Sequence, residues 1–137
     1  MDENAVIEAV CAYLTQNGYE VEQRLHTTQQ GIDIIARQAS SGQRLYIEAK
    51  GATSSIEGSA RFGKGFTASQ VYDRVSKGIY AGLRLRAAHP DRAREDVGLA
   101  FPDTPQFRKL LEPVSKQLSD ASLAVFLASP DGHVTRL

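Results

Sequence analysis

Two apolar runs with the period of β-strands, Gly31-Ile-Asp-Ile-Ile-Ala36 and Arg44-Leu-Tyr-Ile-Glu-Ala-Lys-Gly51, are each interrupted by charge, at Asp33 and at Glu48 and Lys50. Successive side chains of a strand alternate faces, so Glu48 and Lys50 share one face and Ile47 and Ala49 the other. Burying a charge in a strand is costly unless it finds a partner. A Glu-x-Lys triplet arises by chance in roughly a third of chains of such ordinary composition, so its placement is what carries meaning. The short link Ala39-Ser-Ser-Gly-Gln43 predicts a hairpin that sets the Asp33 strand beside the Glu48 strand. Two carboxylates and one ammonium then lie in one patch, suited to a hard divalent cation and a phosphate oxygen. A solvent-facing strand that alternates Glu and Lys with apolar residues is the simpler alternative.

The rest of the chain reads as an α/β sequence. Residues 3–17 repeat apolar side chains at Ile7, Val10, Cys11 and Leu14 and stop at Asn17-Gly18, which predicts an amphipathic helix. Residues 19–25 alternate as a half-buried strand, followed by strands at 31–38 and 44–50. Residues 51–66 hold Gly51, Gly58, Gly63 and Gly65 with Arg61 and Lys64, show no sustained period, and read as a mobile basic loop. A second helix is expected from Thr67 as N-cap, with Val71, Val75, Gly78, Ile79 and Gly82 on its inner stripe. Gln70, Arg74, Lys77 and Arg84 fall in an arc of roughly 80° beside that stripe. Val97–Phe101 reads as a buried strand, Thr104-Pro105 opens a third helix that Pro113 kinks or splits, and Leu123–Ala128 is the last expected strand.

With 137 residues, 42% of them hydrophobic, the chain is expected to form one domain spanning 1–137 with its own core. It has no long apolar stretch and no basic-then-apolar leader, which predicts a cytoplasmic protein that does not enter membranes. The lone Cys11 sits at helical spacing among Val6, Ile7, Val10 and Leu14 and reads as core. Formal net charge is zero, yet residues 61–94 hold eight basic side chains against Asp73 and Asp91. A basic surface able to meet phosphates is thus concealed by acids elsewhere. His26, His89 and His133 lack ligand spacing, Gly63-Lys-Gly-Phe-Thr67 lacks the pattern of a phosphate-binding loop, and no serine or cysteine triad is recognisable.

The order αβββαβ, with an acid opening the second strand and Glu-x-Lys in the third, resembles the PD-(D/E)XK nuclease superfamily over residues 3–101, and the final helix and strand extend it to αβββαβαβ. The resemblance implies a restriction-endonuclease-like three-layer fold with a central mixed β-sheet flanked by helices. It makes Asp33, Glu48 and Lys50 the catalytic set, with Asp33, Glu48 and the Ala49 main-chain carbonyl as ligands of Mg²⁺, which Mn²⁺ would replace. Ile32 stands where the named motif has proline, a departure many members share. Some members place a further acid on the first helix, so Glu8 is read either as a ligand or as a solvated flank. Gln70 is read either as a residue near the site or as an exposed glutamine. Arg61, Lys64, Gln70, Arg74 and Lys77 are the candidate nucleic-acid contacts. The expected activity is metal-dependent hydrolysis of phosphodiester bonds in nucleic acid, with DNA the favoured substrate and a homodimer an acceptable assembly. The alternative is an inactive nucleic-acid-binding or protein-interaction module of the same fold.

Overall fold

The computed structural model describes residues 1–26, 28–52 and 66–137. Asp2 caps the first helix, α1 (Glu3–Gln16), by accepting from the Ala5 N–H at 2.8 Å, and Gly18 at φ +85° turns the chain out of it. Three strands follow, β1 (Tyr19–Arg24), β2 (Ile34–Gln38) and β3 (Arg44–Ala49), paired antiparallel in sequence order. A register shift between Val21 and Gln23 changes the face of the strand, so Arg24 reaches back to α1.

Helix α2 (Ala68–Ala88) starts at the expected Thr67. Strands β4 (Glu95–Pro102) and β5 (Leu123–Ala128) then join β3 in parallel, and their unbroken apolar runs reflect burial on both faces. Between them the chain forms α3 (Pro105–Leu111), a 3₁₀ turn (Glu112–Val114) and α4 (Ser115–Asp120). Pro113 lacks an N–H and splits the helix there. A strand absent from the sequence reading, β6 (Val134–Arg136), pairs antiparallel with β5 after the Gly132 turn. Its three residues are too few to show a period.

The six strands lie in the order β1-β2-β3-β4-β5-β6. One apolar layer joins Val6, Ile7, Val10, Cys11 and Leu14 of α1 to Ile34, Leu45, Ile47 and Ala49. Burial pushes the Cys11 thiol up to about 11, in keeping with a core role. The opposite layer joins Val71 and Val75 of α2 to Leu99, Phe101, Phe107 and Leu111. The result is the three-layer, mixed-sheet fold of a restriction endonuclease-like protein. Among the described residues, no helix is long and apolar enough to cross a membrane.

The end of α2 is tied to the start of β4. Arg86 does not belong to the basic surface that its sequence position suggested: it is buried and donates to the carbonyls of His89 and, at 3.0 Å, Glu95. Its helix position faces the sheet, and the helix end leaves carbonyls that need a donor. The His89 ring stacks on Tyr46 with centroids 3.8 Å apart, and its Nδ1 lies 2.7 Å from the Glu95 carboxylate.

At Gly78 an added Cβ would lie 2.7 Å from the Phe101 ring, which is fully buried. Alanine usually favours a helix over glycine by about 1 kcal/mol, whereas overpacking a filled core costs about 1–3 kcal/mol. Gly78→Ala is therefore expected to lower stability in urea unfolding. An increase would show that α2 can lift from the sheet freely.

Candidate metal and phosphate site

The site forms where β2 and β3 part company. Their last paired residues are Ile34 and Ile47, so the Ala49 N–H extends past the end of the β2 backbone ladder. A buried N–H needs an acceptor. Asp33, one residue before β2, supplies it: its Oδ2 accepts from the Ala49 N–H at 2.8 Å. In a strand the N–H and C=O of one residue point to the same side, so the Ala49 carbonyl faces this edge too. Asp33 is held from behind by the Leu25 N–H, which donates to its carbonyl at 2.9 Å, and by Gln23 Nε2, which donates to the Ile32 carbonyl at 2.8 Å.

Glu48 and Lys50 share the face of β3 that α2 covers, as alternation requires. Lys50 Nζ lies 3.0 Å from Glu48 Oε1, and the two side chains are only 17% and 19% exposed. Gly78 leaves room for the Lys50 stem, since a Cβ there would sit 3.4 Å from Lys50 Cγ. On the other side, Gly51 admits the start of α1: a Cβ at Gly51 would be 2.4 Å from the Glu3 nitrogen. The Ala52 N–H donates to the Met1 carbonyl at 2.8 Å and fastens this contact.

Glu3 thereby joins the electrostatics of the site. Burial raises its pKa, Lys50 opposes that, and Glu48 adds to it. Burial also raises Asp33, to about 7, against the lowering effect of the Ala49 N–H; Glu48 and Glu3 push it further up and Lys50 pulls it down. Three carboxylates, Glu3, Asp33 and Glu48, thus act on one another beside the cations Lys50 and Arg74.

The other candidates divide. Glu8 pairs with Arg24 at 2.7 Å on an exposed part of α1; the acid of α1 that the site feels is Glu3. In the sequence Glu3 reads as an ordinary first-turn acid favoured by the helix dipole, and the Gly51 contact that directs it inward leaves no local pattern. Gln70 closes the α2 capping box, its Oε1 accepting from the Thr67 N–H at 2.8 Å. Arg74 stands beside Glu3, with its guanidinium carbon 5.1 Å from the centroid of the Phe66 ring. Lys77 is exposed and pairs with Asp73 at 3.1 Å. Arg61, Lys64 and the rest of the basic loop from 53 to 65 lie outside the described residues.

Among the described residues, no three of His, Cys, Asp and Glu gather closely enough to cage a metal ion. Mg²⁺ does not require such a cage, because it commonly keeps several waters and binds through one or two carboxylates. The donor set fits that habit: all of it is hard oxygen, and burial raises the pKa of the Asp33 carboxylate despite the opposing effect of Lys50.

The fold is of the restriction-endonuclease-like class. More particularly, residues 1–61 match the Mrr_cat family, described as restriction endonuclease, and that span carries Asp33, Glu48 and Lys50. The match supports a nuclease-type family. Among solved structures, an fdxN element excision controlling factor protein from Anabaena variabilis aligns with a TM-score of 0.56 at 17% identity, covering 96% of each chain. That likeness is one of fold. No curated protein matches the chain.

The Asp33 shift fixes the sign of a pH effect. An acid whose pKa rises from 3.8 to about 7 on folding holds more protons folded than unfolded between those values, so stability falls as pH rises through that window. In chelator, Asp33→Asn, which keeps an acceptor for the Ala49 N–H, is expected to flatten this decline. It should be the more stable protein at pH 8, by on the order of 1–3 kcal/mol. Parallel pH curves for the two proteins would refute the burial argument.

Proposed function

We propose that the chain is a metal-dependent nuclease that hydrolyses phosphodiester bonds in nucleic acid, with DNA the expected substrate. The observation that carries this reading is the meeting of the buried Asp33 carboxylate, the Glu48 and Lys50 pair and the Ala49 main chain at one strand end. Asp33, Glu48 and the Ala49 carbonyl would hold Mg²⁺ or Mn²⁺. Such a cation, when bound, acidifies a water and neutralises charge that develops on the phosphate.

The chain's own groups would prepare the rest. The Asp33 to Ala49 hydrogen bond fixes one carboxylate oxygen toward the backbone and leaves the other for a ligand. Lys50 has three donors on a flexible stem and currently meets Glu48; it would turn one of them to a phosphate oxygen or to the attacking water. Glu3, across the site on α1, would accept a proton or a hydrogen bond from water in the same patch. Arg74, with Arg61 and Lys64, would hold the phosphate backbone without reading sequence. Two copies of the chain would serve to cut both strands of a duplex.

A second reading has specific support. Glu48 is engaged by Lys50, and the structural relative is by its title an excision controlling factor. A module of this fold that binds nucleic acid and does not cut is the reading to set against catalysis.

Supercoiled, linear, single-stranded and branched DNA, and RNA, incubated with Mg²⁺ or Mn²⁺, separate the two. The wild type is expected to cut at least one of them, and Asp33→Ala and Lys50→Ala to be at least about 100-fold slower, the usual cost of removing one group that stabilises the transition state. A wild type that cuts none, or variants that cut equally well, would remove the catalytic assignment.

A further inference from the structure

A groove leaves the site alongside Glu48 and runs between the second half of α2 and the chain that leads into β2. It measures about 280 Å³ and is lined by Gly31, Ile32, Glu48, Ala81, Arg84, Leu85 and Ala88. Its walls are the aliphatic side chains of Ile32 and Leu85, and its α2 side is kept low by two alanines. Charge enters at two points: Glu48, which the groove shares with the candidate metal site, and the exposed Arg84.

This lining is poorly matched to a bare phosphate, which would want several donors, and the groove is near the lower limit of ligand pockets, which span about 300–1,000 Å³. A duplex is too wide to enter it. A flat, weakly polar ring on a charged backbone suits every part: aliphatic walls for the ring faces, a guanidinium that stacks on the ring, and a direct path to Glu48.

The geometry points to this groove as a subsite for the base of one unpaired nucleotide next to the phosphate under attack, with Arg84 at its rim as a base-binding residue. The substrate class that follows is single-stranded nucleic acid, or a duplex with an unpaired nucleotide at the cut. The inference rests on the nuclease reading for the position of the scissile phosphate. It adds to the basic flank foreseen on α2 a role for Arg84 distinct from backbone contact.

Binding in chelator tests it independently of cutting. Fluorescence anisotropy would compare a labelled 15-nucleotide thymidine strand, the same strand with a run of abasic sites, and a matched duplex, at one fixed salt concentration. The wild type is expected to bind the thymidine strand about tenfold more tightly than the abasic one, the scale of one base on a stacking surface. Ala88→Trp, at an exposed position on the groove's rim, should abolish that difference by filling the space, and Arg84→Ala should reduce it. Thermal melting checks that each variant is folded, and Arg84→Ala alone decides the matter if Ala88→Trp is not. Equal affinity of the wild type for the thymidine and abasic strands, or an unchanged difference in folded Arg84→Ala, would overturn the inference. A protein that shows the base preference but never cuts would overturn the nuclease reading alone.

Discussion

The hydrogen bond from the Ala49 N–H to Asp33 Oδ2 is the interaction on which the site depends. It substitutes a carboxylate for the strand backbone at the point where β2 has ended and β3 goes on. The amide gains an acceptor, and the carboxylate is drawn to a position where water cannot fully solvate it. Burial and two neighbouring acids then hold Asp33 far above the usual aspartate range. One local need, satisfying a backbone donor, thereby creates a partly protonated acid beside a glutamate and a lysine. A divalent cation at that place would reverse the electrostatic cost, since it favours the ionised form that burial opposes.

Tight backbone approaches bring the other elements to this point. Gly51 lets the first turn of α1 touch the chain just beyond Lys50, and Gly78 lets α2 settle over Phe101 and the Lys50 stem. Both faces of the sheet therefore deliver groups to one strand end, Glu3 from one layer and Arg74 from the other. The opposite end of α2 is secured separately by Arg86, His89, Glu95 and Tyr46. With the helix fixed at both ends, the groove beside Glu48 has a defined width.

Much of this was legible in the residues because it follows from periodicity. Alternation in β3 placed Glu48 and Lys50 on one face, the hairpin link set β2 against β3, and Thr67, Pro113 and Gly18 marked where helices begin, split and end. Contacts between distant segments were not legible. Glu3 and Glu8 are both acids on one helix, and only the packing of α1 on Gly51 directs the first toward the site and leaves the second to Arg24. Arg86 reads as one more basic residue until the end of α2 is seen to bury it. Strand β6 is added by pairing with β5 and has no periodic signal of its own.

Titration of Mn²⁺ followed by electron paramagnetic resonance tests, without any substrate, the proposal that the Asp33 strand end is a cation site. Free Mn²⁺ signal is expected to be lost on adding wild-type protein, Mg²⁺ to restore it by competition, and Asp33→Asn to remove the binding while the protein stays folded. Equal Mn²⁺ binding by wild type and Asp33→Asn, or none by the wild type at millimolar Mn²⁺, would contradict it.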